Sequence, residues 1–149
     1  MARITVGIDL PASPEKVWDI VEPIERHVDW MADAVAIRFE GSQTRGVGTK
    51  FLCDTKVGPI TLTDKMEITE WTPRQAMGVR HVGVVTGTGT FTLAPLDGGR
   101  ATRFEWSEDL CFPWWLGGRL GEVIGGKLVM GAIWRRNLKQ LKKIVERAN

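Results

Sequence analysis

The sequence predicts an α+β domain in which a curved, seven-stranded antiparallel sheet closes around one long C-terminal helix. Two observations carry this expectation. From residue 34 to residue 112 the chain is a run of strand-like segments separated by turn residues, with no stretch of helical period between them. From Pro113 onward the apolar residues change to the spacing of a helix and keep it almost to the end.

The first element is a strand. Ile4, Val6, Ile8 and Leu10 alternate with Arg3, Thr5, Gly7 and Asp9, the period of two that marks a half-buried strand over residues 2–10. Ser13-Pro14-Glu15-Lys16 then supplies an N-cap, a proline suited to the first helical position and an acid in the first turn, which opens a short helix ending near Val21. Val17, Trp18 and Val21 are its apolar side. Pro23 ends it, and a second short helix is expected from about Ile24 to Met31, anchored by Val28 and Trp30.

Six further strands are expected near residues 34–40, 48–57, 60–71, 75–82, 86–95 and 101–112. They are punctuated by Gly41 to Gly48, Gly58-Pro59, Thr72-Pro73, Gly83 and Asp97-Gly98-Gly99. A parallel crossover needs about a dozen residues or more, so connections this short imply an antiparallel meander. Leu120, Ile124, Trp134, Leu138, Leu141 and Val145 line one side of the final helix, which is expected to run from Pro113 to about Arg147. Roughly thirty residues at 1.5 Å each make a helix about 45 Å long, enough to cross the sheet.

Length and composition agree with one domain. The 149 residues suit a single core, and 43% hydrophobic with 26% charged residues is the balance of an ordinary globular chain. Cys53 and Cys111 lie within strand-like runs without metal or disulfide spacing, so neither a zinc site nor a disulfide framework is expected. No apolar run approaches the eighteen or so residues that span a bilayer, and the opening residues lack the pattern of a secretion signal. A cytoplasmic location without stable membrane insertion is the expectation. Arg135, Arg136, Lys139, Lys142, Lys143 and Arg147 crowd the last fifteen positions. They are expected to solvate the outer face of the helix and offset its dipole, not to bind nucleic acid.

The order of these elements and the residues that punctuate them resemble the START-like, or Bet v 1-like, superfamily, and within it the bacterial polyketide cyclase/dehydrase branch. The residues that carry the resemblance are Ile8 to Trp18, Trp30, Glu70-Trp71-Thr72-Pro73-Arg74, Gly87 to Pro95, Ala101 to Trp106, Glu108 and Pro113. Essentially the whole chain is covered. The resemblance implies a helix-grip fold with a deep cavity between sheet and helix, used across the superfamily for lipids, sterols and polyketide intermediates. It implies no single chemistry.

Three features bear on what such a cavity would do. Gly117, Gly118, Gly121, Gly125, Gly126 and Gly131 fall in the first half of the last helix, where each interior glycine costs about 1 kcal/mol relative to alanine. Either they leave room for a ligand or let the helix end move as an entry gate, or they let the helix pack closely on tryptophans or on a second subunit in a homodimer. Seven tryptophans accompany the absence of tyrosine. Trp106 and Phe104 share a strand face, Trp134 lies on the helical stripe, and Trp114 and Trp115 are expected at the cavity mouth, as contacts for ligand or partner.

Ionisable residues on apolar strand faces form the third feature. Asp64 is in step with Ile60, Leu62, Met66 and Ile68; His81 follows Met77 and Val79; Glu108 follows Phe104 and Trp106. These three are the candidate acid-base residues if the faces look inward. The alternative is that they are strand-end charges reaching solvent. His27 is expected at the surface. Lys127, on the same helical seam as Leu120 and Trp134, would meet an anionic head group or Glu108, or else lift its charge into water. The expected ligand contacts are Met66, Ile68, Val79, His81, Phe91, Phe104, Trp106 and Glu108 from the sheet. Trp115, Leu120, Ile124, Lys127 and Trp134 are those expected from the final segment.

No nucleophile elbow, phosphate loop or paired Cys-His cluster is present, and no metal or cofactor is expected. The expected function is that of a carrier or sensor for a small hydrophobic molecule, lipid-, polyketide- or isoprenoid-like. Alternatives are a polyketide cyclase or dehydratase acting by general acid-base catalysis, and a co-chaperone-like interaction module presenting Trp114 and Trp115. The lack of tyrosine counts against the aromatase chemistry found in this superfamily.

Overall fold

The computed structural model describes residues 2–114 and 128–149. Strand β1 (Ala2–Leu10) leads into helix α1 (Pro14–Val21), which the Ser13 hydroxyl caps by accepting from the Lys16 N–H at 3.3 Å. Val17, Trp18 and Val21 of α1 are buried. The second short element is a 3₁₀ turn, Ile24–Asp29, in place of the expected α-helix to Met31. Pro23 fixes its entry, and Trp30 leaves helical geometry at φ −126°, which swings the indole into the core.

Six strands follow: β2 (Ala34–Glu40), β3 (Lys50–Val57), β4 (Ile60–Thr72), β5 (Ala76–Val82), β6 (Thr86–Leu96) and β7 (Ala101–Cys111). Each pairs antiparallel with the next, and β1 pairs with β7, giving the order β1-β7-β6-β5-β4-β3-β2. The hairpin between β3 and β4 turns at Gly58, whose φ of +58° is a conformation that glycine adopts without strain.

Helix α2 (Gly131–Ala148) continues from residues 128–130, which have π-helical geometry. Its buried residues, Gly131, Trp134, Asn137, Leu138, Leu141 and Val145, recur every three or four positions and face the sheet. Arg135, Arg136, Lys139, Lys142, Lys143 and Arg147 are exposed on the other side. The 18 residues of α2 span about 27 Å. Pro113 lies outside regular structure, Trp114 is the last described residue before the gap, and the remainder of the expected helix, residues 115–127, lies outside the described residues.

Trp30 fills the middle of the core. Its ring lies 5.6 Å from Phe91, 6.2 Å from Phe104 and 6.0 Å from Trp106, all tilted or edge-on. On one side of this cluster the interior is filled by side chains such as Leu10, Val17, Ile24, Leu141 and Val145, none more than 1% exposed. On the other it is hollow.

Candidate functional site

The hollow is a cavity of about 390 Å³, within the range of small-molecule sites. Strand register explains its walls. Cys53 of β3 stands opposite Asp64 of β4, Met66 opposite His81, and Ile68 opposite Val79. Successive inward residues on neighbouring strands therefore form rows across the concave face. Phe91 opposite Trp106 continues the wall on β6 and β7, and Trp134 and Met130 close it from the helical side. The Trp106 and Trp134 rings stack at 4.5 Å with 18° between their planes.

One part of the wall is polar, and it depends on missing side chains. His81 is paired with Gly87, and Glu108 with Gly89, so β6 runs between them with no side chain on the concave face at either position. Strands separated by one other are about 10 Å apart, a gap that the two long side chains span above the glycines. Glu108 Oε2 comes within 3.3 Å of His81 Nε2, and both side chains are more than nine-tenths buried. The other oxygen, Oε1, accepts from the Trp106 indole N–H at 2.8 Å. A Cβ on Gly89 would lie 2.9 Å from Glu108 Cγ, closer than side-chain carbons approach. Gly89 thus makes the space that the Glu108 side chain occupies.

Asp64 stands at the edge of the same cluster, 6% exposed, and its Oδ1 accepts from the Val85 N–H at 3.4 Å. Burial pushes its pKa up, with His81 acting in the opposite direction. For His81, burial disfavours the imidazolium, but Glu108 beside it and Asp64 nearby outweigh that effect and raise its pKa. The approach of Nε2 to Glu108 is an ion-pair contact without hydrogen-bond alignment, and Nδ1 has no partner among the described residues.

Asp33 is a third carboxylate on the wall. It accepts from Asn137 Nδ2 at 2.7 Å, while Asn137 Oδ1 takes the Ala32 N–H at 3.0 Å, which fastens α2 to the segment before β2. Burial raises the Asp33 pKa against the effects of Asn137 and the Trp134 indole. Among the described residues no group of His, Cys, Asp and Glu is arranged to hold a metal ion.

Of the residues singled out in the sequence, Asp64, Met66, Ile68, Val79, His81, Phe91, Trp106, Glu108 and Trp134 all line the cavity. Phe104 does not. At 0% exposure it is packed behind Phe91 and Trp30, one pair of residues further along β7 toward the filled end. Trp115, Leu120, Ile124 and Lys127, with the glycines from Gly117 to Gly126, lie outside the described residues. Trp114 is 86% exposed.

His27 is the clearest correction. It is buried on the cavity wall, donates Nε2–H to the Val21 carbonyl at 2.7 Å, and burial lowers its pKa to about 4. Sequence reasoning also misses Asp33, Asn137, Phe51, Cys53 and Met77. Phe51, Cys53 and Met77 share the strand alternation of their neighbours, and that pattern is enough to find them. Asp33 and Asn137 carry no such signal, because one lies between elements and the other is a polar residue on an apolar stripe.

A curved antiparallel sheet gripping a C-terminal helix over a ligand-sized, mostly apolar cavity is a START-like fold. The chain belongs to the family described as polyketide cyclase/dehydrase and lipid transport, whose model matches residues 1–146. Its fold is similar to that of a Thermus thermophilus protein, at 18% identity over 99% of both chains and a TM-score of 0.79. A START superfamily protein from Mycobacterium smegmatis matches at 14% identity over the whole of both chains, with a TM-score of 0.80. The Zhui aromatase/cyclase from Streptomyces sp. R1128 matches at 14% identity over 97% of this chain and 93% of that one, with a TM-score of 0.73. Identities this low speak to the fold alone. No curated protein matches the chain.

Proposed function

We propose that the protein holds a small hydrophobic molecule in the cavity between sheet and C-terminal helix, as a carrier or sensor. The observation that carries this reading is a hollow of about 390 Å³ walled chiefly by Met, Ile, Val, Phe and Trp side chains. Closely packed interiors have few voids larger than a water molecule, so an apolar space of this size invites a ligand. No helix among the described residues is long and apolar enough to cross a membrane. A bound molecule would lie along the β4 and β5 rows with its polar end toward His81 and Glu108.

A second reading is favoured by that polar end. His81, with its pKa raised by Glu108 and Asp64, is placed to donate a proton to a carbonyl oxygen, and Glu108 or Asp64 to accept one, as a cyclase or dehydratase requires. The carrier reading is preferred because the wall is chiefly apolar and Glu108, the carboxylate nearest His81, already holds the Trp106 indole N–H on one oxygen.

Thermal unfolding against a panel of uncharged apolar compounds tests the proposal. A ligand at a hundred times its dissociation constant adds about 2.7 kcal/mol to stability. A panel in which no compound raises Tm would count against the carrier. Turnover of a β-keto substrate that vanishes in a folded His81→Ala variant would decide for the enzyme.

A further inference from the structure

The polar groups of the cavity wall differ in one respect. The carboxylates are supplied with donors: Glu108 by Trp106, Asp33 by Asn137, Asp64 by the Val85 N–H. Among the described residues, the buried groups on the wall that lack a hydrogen bond are the ring nitrogens of His81 and the Trp134 indole N–H. His81 Nε2 has only the unaligned approach to Glu108, and the Trp134 indole acts on Asp33 without an aligned bond to it. Buried polar groups are nearly always hydrogen-bonded, so unsatisfied ones in a ligand-sized space point to what the ligand must bring. An indole has only a donor to offer, and the histidine ring carries at least one N–H in either protonation state. Asp33, Asp64 and Glu108 all line the cavity, and among the described residues no lysine or arginine does.

Resting on the carrier reading above, we propose that the cavity selects an uncharged amphiphile whose polar end is a hydrogen-bond acceptor, a ketone or ester carbonyl, and rejects the corresponding free carboxylate. A carbonyl would take the N–H groups of His81 and Trp134 without adding charge. A carboxylate would take them too, but beside three acidic side chains in a poorly solvated space, where like charges repel strongly. An ammonium would have to compete for carboxylates that already hold donors, and would leave the N–H groups unsatisfied. The discrimination thus comes from what the wall repels as much as from what it binds.

The test is isothermal titration of the full chain at pH 7.5 with methyl decanoate, decanoic acid and decylamine, which share a tail and differ at the head. The ester is expected to bind at least tenfold more tightly than the acid and more tightly than the amine. Glu108→Gln, which keeps an oxygen for the Trp106 N–H, is expected to narrow the preference for ester over acid at least threefold. If that variant does not fold, Asp64→Asn takes its place. An acid that binds as tightly as the ester, an amine that binds most tightly, or a preference unchanged in the folded variant would overturn the inference and leave the carrier reading standing. Failure of all three compounds to bind would overturn both.

Discussion

His81 and Glu108 stand on strands separated by β6, yet their side chains come within 3.3 Å across the bare backbone of Gly87 and Gly89. The two glycines serve different ends. Gly87 has φ +138°, and a Cβ there would meet the Asp109 carbonyl oxygen at 1.9 Å. Gly89 has no such backbone demand; its Cβ would meet the Glu108 side chain.

Gly87→Ala is therefore expected to cost roughly 3 kcal/mol, from a backbone conformation that alanine adopts only under strain and from a clash with the backbone that cannot rotate away. Gly89→Ala is expected to cost about 1 kcal/mol, because Glu108 is able to shift. Its effect should fall on the pair: displaced from Glu108, His81 should titrate at lower pH, as followed by its ring proton resonances. Urea unfolding that ranks Gly89→Ala as the more damaging change would contradict this division.

The same register shows how far the sequence can be read. Strand alternation locates every sheet residue named for the cavity wall except Phe104, because a period of two assigns a face. It does not assign a position along the strand, and Phe104 sits on the correct face at the filled end. The closeness of His81 and Glu108 is not legible in the sequence. It depends on which residues stand opposite one another across β6, and pairing is decided by hairpin geometry. His27 reads as a surface residue because a six-residue 3₁₀ segment carries too little periodicity to assign a face.

His27 gives the protein an acid limit. Its pKa falls from 6.5 to about 4 on folding because burial disfavours the imidazolium, against the pull of the Val21 carbonyl and the nearby Glu25. The unfolded chain therefore binds the extra proton first, and stability falls as pH drops from about 6.5 toward 4, by roughly 3 kcal/mol in all. His27→Phe should flatten that limb in denaturant melts made at a series of pH values. An unchanged slope would mean that the acid loss arises elsewhere. His81 acts in the opposite sense: its raised pKa, set by Glu108 and Asp64 against burial, contributes stability below about pH 6.5 that is lost as pH rises through the folded-state value.

Asn137 fastens the helix to the sheet end with both halves of its amide, at 1% exposure. Asn137→Leu fits the apolar stripe of α2 but strands the Ala32 N–H and the Asp33 carboxylate. Each loss is worth about 1–3 kcal/mol, so a destabilisation of roughly 3 kcal/mol is expected at neutral pH. Asp33→Asn combined with Asn137→Leu should recover part of it, since the buried charge is then gone. A neutral result for the single change, read from the midpoint of chemical unfolding, would rule out the latch.

Occupation of the cavity by a ligand is the central claim, and the tryptophans report on it separately. Trp106 and Trp134 line it, whereas Trp18 and Trp71 pack edge-on against each other at 5.4 Å away from its wall. Indole N–H resonances, assigned by single Trp→Phe substitutions, can be followed while methyl decanoate is added to the full chain. The Trp106 and Trp134 signals are expected to move together and saturate at one ligand per chain, with Trp18 and Trp71 unmoved. Saturation with no shift at Trp106 or Trp134, or no saturable shift at any tryptophan, would contradict a binding site in the cavity.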